Sequence, residues 1–213
     1  MERNAMQEIH ETFQGDALPV GFYWFNEPAE FRLDEGLELV TKPKSDFWQR
    51  THCGFRRDNG HCLLTKLEGD FAVMTRVEFD FRDQYDQCGL MIRVDEDNWI
   101  KLSTERETDC LSRLGSVVTN LGYSDWASQD VSAEIQRMSY RISRSGQDFL
   151  LEASLNGNGW NQLRVAHLHR CRDPLEVGIY ACSPTGDGFK CRFRELAITG
   201  GRWGHEVRLP KIE

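Results

Sequence analysis

The sequence predicts an all-β fold, a sandwich of antiparallel sheets, and three observations carry that reading. Apolar and polar residues alternate with period two along several stretches, most cleanly where Phe71, Val73, Thr75, Val77, Phe79 and Phe81 face away from Ala72, Met74, Arg76, Glu78 and Asp80. Turn signals rich in Gly, Asn and Asp punctuate the chain at the short spacing typical of sandwiches. No stretch holds a helical apolar period over three turns.

In chain order, the aromatic cluster Phe22 to Phe25 ends at Pro28, and two short strands follow around Asp34-Glu35-Gly36. Asp58-Asn59-Gly60 reads as a turn, with both Asn and Gly tolerant of positive φ, leading into a strand from His61 to Leu67. After the Phe71 to Phe81 strand comes a central hairpin. Cys88, Leu90, Ile92 and Val94 form its apolar face together with Ile100 and Leu102, while the other face carries Met91, Arg93, Trp99, Lys101 and Glu105. Keeping both faces pure requires a three-residue loop Asp95-Glu96-Asp97, or an equivalent bulge, that sets Arg93 opposite Trp99 and Met91 opposite Lys101. Leu114 to Leu121 is a further strand, Gly122 to Trp126 a turn, and Ser128 to Gln136 one or two helical turns. A second hairpin turns at Ser145-Gly146-Gln147-Asp148, Asn156 to Gly159 leads into Trp160 to Val165, and the last strands are Leu175 to Cys182 and Phe189 to Ile198. The total is roughly a dozen strands. Composition does not break along the 213 residues, so the expected organisation is one domain over residues 1–213 behind a polar leader, Met1 to Gly15.

A formal net charge of −8 without a Lys/Arg cluster opposes a phosphate backbone, which excludes nucleic acid as the expected partner. The polar leader and the lack of a long apolar run predict a cytoplasmic protein without membrane contact. Seven cysteines, an odd number without an export signal, read as reduced thiols. His167, His169 and Cys171 fall at alternate positions, and His52-Cys53 and His61-Cys62 flank the Asn-Gly turn. Neither set has the knuckle spacing of a metal site, so no metal or cofactor is expected.

Asp46-Phe47-Trp48, Asp58-Asn59-Gly60-His61, Gly69-Asp70-Phe71, the block Tyr85-Asp86-Gln87-Cys88-Gly89-Leu90-Met91-Ile92-Arg93-Val94-Asp95, Asn98-Trp99-Ile100-Lys101, Ser116-Val117-Val118-Thr119 and Ser124-Asp125-Trp126 together resemble the regulation-of-enolase protein family. The resemblance runs from about Trp24 to Ile198. It implies a concanavalin A-like jelly roll of two antiparallel sheets and brings no assigned chemistry. Cys53 stands where that pattern has an aromatic before Gly54-Phe55, which implies a more open cleft.

Jelly rolls of this kind bind ligands on a concave sheet face, and indoles beside polar groups suit sugar rings. The expected cleft draws on Trp48, His61, Asp86, Gln87 and Arg93, together with Trp99, Lys101, Glu105, Asp125 and Trp126. Arg93 and Lys101 offer cations for a carboxylate or phosphate. The bland reading of the same residues is a solvated charge ladder over core tryptophans. The expected function is a non-catalytic module for a carbohydrate-like ligand or small anionic metabolite. Two alternatives stand beside it: a glycosidase using Glu105, Glu107 and Asp109, whose order fits the paired-carboxylate pattern loosely, and a protein-interaction module that regulates a metabolic enzyme.

Overall fold

The computed structural model describes residues 8–157, 159–201 and 203. Seventeen strands fall among them, more than the expected dozen; six are only three or four residues long, and of these the sequence marked the two around Asp34-Glu35-Gly36. One sheet runs β15 (Asn161–His167), β14 (Asp148–Ser154), β13 (Arg137–Ser145), β8 (Phe71–Asp80), β17 (Lys190–Gly200), β4 (Leu37–Val40) and β3 (Glu30–Leu33). Its eighth strand, β1 (Ile9–Glu11), pairs with β17 beyond a bulge at Phe193/Glu195. That part of the polar leader is therefore an edge strand, while residues 1–7 lie outside the described residues.

The second sheet runs β12 (Tyr123–Ser132), β11 (Leu111–Asn120), β10 (Asn98–Arg106), β9 (Gln87–Asp95), β16 (Leu175–Cys182), β7 (His61–Leu67) and β2 (Tyr23–Phe25). All pairings within both sheets are antiparallel. The result is the sandwich of antiparallel sheets that the alternation predicts and the concanavalin A-like jelly roll that the resemblance implies. Val73, Val77 and Phe79 of one sheet meet Leu90, Ile92, Ile100 and Leu102 of the other in one apolar cluster. Each such side chain contributes about 1.5–3 kcal/mol on burial. Tyr140 Oη donates to Thr104 Oγ1 at 2.7 Å, a polar link within this core. No helix among the described residues is long and apolar enough to cross a membrane.

The central hairpin has the expected register, reached through a bulge. Arg93 pairs with Trp99 and Met91 with Lys101, and the irregularity sits between Asn98 and Trp99. Asp95 Oδ1 closes the turn by accepting from Asp97 N at 3.0 Å and Asn98 Nδ2 at 2.8 Å. This register sends Gln87, Arg93, Trp99, Lys101 and Glu105 to the outer face, because Leu90, Ile92, Ile100 and Leu102 take the core.

The outer face is not simply solvated. A separate two-stranded ribbon, β5 (Phe47–Gln49) and β6 (Arg56–Asp58), lies over it. Phe47 meets Trp99 and Tyr180 edge-on at centroid distances of 6.1 and 6.2 Å, and with Met91, Leu64 and Val117 they form a second apolar cluster. The ribbon makes this face a candidate site by giving it a wall.

Three local expectations are corrected. Gly122 to Trp126 is not a turn: the chain reverses at Leu121-Gly122, and Tyr123 begins β12. The segment from Ser128 is not helical, because β12 continues through Ser132; as a largely exposed edge strand it lacks the alternation that marks a buried strand. Asn59-Gly60 joins β6 to β7, which belong to different sheets, so it is a corner and not a hairpin turn. Neither residue there has positive φ. Gly60 is needed for space, since a Cβ would lie 2.2 Å from Phe47 Cε2, and Asn59 Oδ1 accepts from Asp46 N at 3.0 Å.

Candidate functional site

A cleft of about 970 Å³ opens between the ribbon and the β10-β11-β12 end of the second sheet. Trp48, Gln87, Lys101, Glu105, Asp125 and Trp126, six of the residues singled out in the sequence, line it. The sheet brings them together by register: Lys101 pairs with Val117, and Val117 with Trp126, so these three form one row across the outer face. Trp126 is 44% exposed and Tyr123 61%, the two most open aromatics of the wall. Trp48 is oriented by its indole Nε1, which donates to Thr51 O at 3.0 Å. Cys53 also lines the cleft as an exposed thiol, where an aromatic would narrow it.

The polar floor is held from below. Tyr180 Oη donates to Gln87 Oε1 at 3.0 Å, which forces the amide nitrogen the other way. Gln87 Nε2 then donates to Tyr85 O at 3.0 Å and to Glu105 Oε2 at 2.7 Å. Glu105 has no cation within ion-pair distance among the described residues. Burial pushes its carboxyl up to about 8; Asp46 and Glu107 add to the rise, and Lys101 and the Gln87 bond oppose it. At neutral pH Glu105 is thus mostly protonated and offers a donor as well as an acceptor. Lys101 is deeply set: Nζ donates to Phe47 O at 2.9 Å and lies 3.7 Å from Asp46 Oδ1, near the rings of Trp99 and Tyr180. Asp125 accepts from Arg164 at 2.7 Å and stays exposed.

Four of the expected residues do not line the cleft. Arg93 is clamped by Asp58 through two 2.8 Å bonds, lies 3.7 Å from Glu176, and covers the Phe25 ring at 4.4 Å. Trp99 is fully buried, with Nε1 donating to Glu96 O at 3.2 Å. His61 bridges two backbone segments: its Nδ1 donates to Asn26 O at 2.6 Å and its Nε2 accepts from Lys42 N at 2.9 Å. Asp86 organises a loop, accepting from Arg82 N, Asp83 N and Ser183 Oγ. These four are polar or aromatic residues fixed inside the fold, each satisfied by a partner that is distant in sequence or invisible in a local pattern.

Sequence reasoning missed Arg57. It is the cross-strand partner of Trp48 in the ribbon, lines the same cleft, and lies 5.9 Å from the Phe55 ring. Pairing Asp46-Phe47-Trp48 with the segment before Asn59 would have revealed it. The three carboxylates of the glycosidase alternative have different partners. Glu105 faces the cleft, Glu107 lies 3.4 Å from Arg113 and accepts from Gln84, and Asp109 is exposed and paired with Arg106. Among the described residues no three His, Cys, Asp or Glu side chains are grouped to hold a metal ion; His167 bonds Asp148 at 2.6 Å.

The family model described as "Protein of unknown function (DUF1349)" matches residues 24–200, a span that holds nearly all of both sheets and the whole cleft wall. The chain belongs to the DUF1349 family. Regulation of enolase protein 1 of Saccharomyces cerevisiae is 32% identical over 177 residues, covering 83% of this chain and 88% of its own, which also establishes the regulation-of-enolase resemblance. A crystal structure of a functionally unknown protein from Saccharomyces cerevisiae superposes with a TM-score of 0.79 at 31% identity, over 85% of this chain and 97% of that one. The GH43 protein BlXynB of Bacillus licheniformis shares the fold at a TM-score of 0.72 and 15% identity, over 90% of this DUF1349 chain but 39% of its own.

Proposed function

We propose that this DUF1349 protein is a cytoplasmic, non-catalytic binding module that holds a carbohydrate-like ligand or small anionic metabolite in the cleft. One observation carries the reading: exposed indole and phenol rings, Trp126 and Tyr123, stand over a floor of fixed hydrogen-bonding groups, Gln87, Lys101 and Glu105. Rings supply stacking area, and prearranged polar groups supply orientation at little entropic cost. A binding role is favoured over hydrolysis because the other carboxylates of the segment are engaged by cations, Glu107 by Arg113 and Asp109 by Arg106.

Calorimetric titration against a panel of neutral and acidic monosaccharides and short oligosaccharides tests this. A ligand whose affinity drops at least roughly tenfold in Trp126→Ala and Trp48→Ala, with the fold retained, is the expected result. Panel-wide silence with folded protein would overturn it.

A second reading draws on the name of the yeast relative. A chain 32% identical to a protein called regulation of enolase suggests a protein partner, enolase itself being the first to try, and the open aromatic wall would suit a protein surface. Analytical ultracentrifugation of the chain with purified enolase separates the two: a complex that survives excess sugar favours the partner reading.

A further inference from the structure

We infer that the cleft's ligand is an anionic saccharide, a sugar ring bearing a carboxylate or phosphate, and that Arg57 binds its anion. The inference rests on the sugar-binding reading of the cleft and goes beyond it by choosing the charge class and the residue that recognises it. Three observations meet at Arg57. It pairs directly across from Trp48 in the β5–β6 ribbon, and both residues line the cleft, so a guanidinium and an indole stand side by side on one wall. It is exposed and has no carboxylate within ion-pair distance among the described residues, although its neighbours Arg56 and Arg50 are both paired, with Asp97. Its side chain lies against Phe55, a contact that limits the directions the guanidinium can take.

The other cations near the cleft are engaged. Lys101 is taken by Phe47 O and Asp46, and Arg164 by Asp125. Among the described residues, Arg57 is therefore the cation of the cleft left for a ligand. A planar guanidinium binds a carboxylate or phosphate through two parallel N–H···O bonds, which adds direction to charge. A bare anion would leave the aromatic wall unused, and a neutral sugar would leave the charge of Arg57 without a counter-charge. A ring carrying an anion uses both.

The experiment titrates the chain with glucuronate, galacturonate and glucose 6-phosphate, and with glucose and galactose as their neutral counterparts. The expected result is at least a roughly tenfold preference for the anionic members, weakened by salt. Arg57→Met, with the fold retained, should bring that preference to within about twofold by weakening the anionic sugars more than their neutral counterparts; Arg57→Lys should keep part of it. Uronates and the phosphate sugar compared with each other identify which anion the site takes. Equal binding of neutral and anionic sugars, or a preference that persists in Arg57→Met, overturns this inference and leaves the sugar reading standing. No binding by any sugar overturns both.

Discussion

Arg93 and Asp58 are joined by two parallel 2.8 Å hydrogen bonds across 35 positions of sequence, and this pair ties the ribbon to the sheet it covers. The Arg93 side chain is 7% exposed and the Asp58 side chain 24%. Removing one partner of a largely buried pair leaves the other charge poorly solvated, at a cost of roughly 3–5 kcal/mol. Because Asp58 reaches solvent, Arg93→Met is expected at the lower end, about 3 kcal/mol by urea denaturation. The double variant with Asp58→Asn should lose less than the two single changes summed.

Glu105 predicts a pH dependence. Its carboxyl is raised from the ordinary value of 4.5 to about 8, chiefly by burial. The native state therefore holds a proton that the unfolded chain releases once pH exceeds the ordinary value. Stability from this group is complete below that value, declines as pH rises towards about 8, and falls no further above it. The slope is at most about 1.4 kcal/mol per pH unit. Glu105→Gln keeps an amide donor and removes the titration, so the difference between wild type and variant across pH 5 to about 8 isolates the effect. Parallel stability curves for the two proteins would show that Glu105 does not hold this proton.

The buried parts of the fold were legible because burial on one side imposes alternation. The Phe71 to Asp80 strand and the Arg93/Trp99 register both followed from keeping apolar residues on one face. β12 was not legible, since an edge strand exposed along most of its length has no face to mark. For the cleft, Lys101, Glu105 and Trp126 could be read from the outer face of the hairpin and its neighbours. Arg57 has no alternation to mark it, because its strand has three residues; only pairing that strand with Trp48's would reveal it. Arg93 and His61 looked like ligand groups because their partners, Asp58 and the backbone of Asn26 and Lys42, leave no local trace in sequence.

His61 is accordingly a structural joint with a measurable signature. His61→Ala removes the partners of Lys42 N–H and Asn26 C=O, and should cost about 1–3 kcal/mol. Burial pulls the imidazole below its ordinary value of 6.5, and the nearby Lys42 charge adds to the fall while the Asn26 bond opposes it. The unfolded chain then takes the proton first as pH drops, so wild-type stability from this group is present above about 6.5 and declines below it. The alanine variant should show a shallower decline in thermal melts between pH 7 and 5, and an equal decline would assign the acid sensitivity elsewhere.

Gly60 and Phe47 should be energetically coupled. A methyl group at residue 60 would sit 2.2 Å from Phe47 Cε2 and 2.5 Å from Cδ2, and the ring has little room to retreat because Trp99 and Tyr180 meet it edge-on. Backbone conformation is not the obstacle, since φ at Gly60 is not positive. Gly60→Ala should therefore destabilise by overpacking, about 1–3 kcal/mol. Phe47→Leu should also destabilise, by leaving space among Met91, Trp99 and Tyr180. The two together should cost less than their sum by at least about 0.5 kcal/mol, because the smaller side chain makes room for the new methyl group. Additive losses in the double-mutant cycle would mean that the glycine is required by something other than this ring.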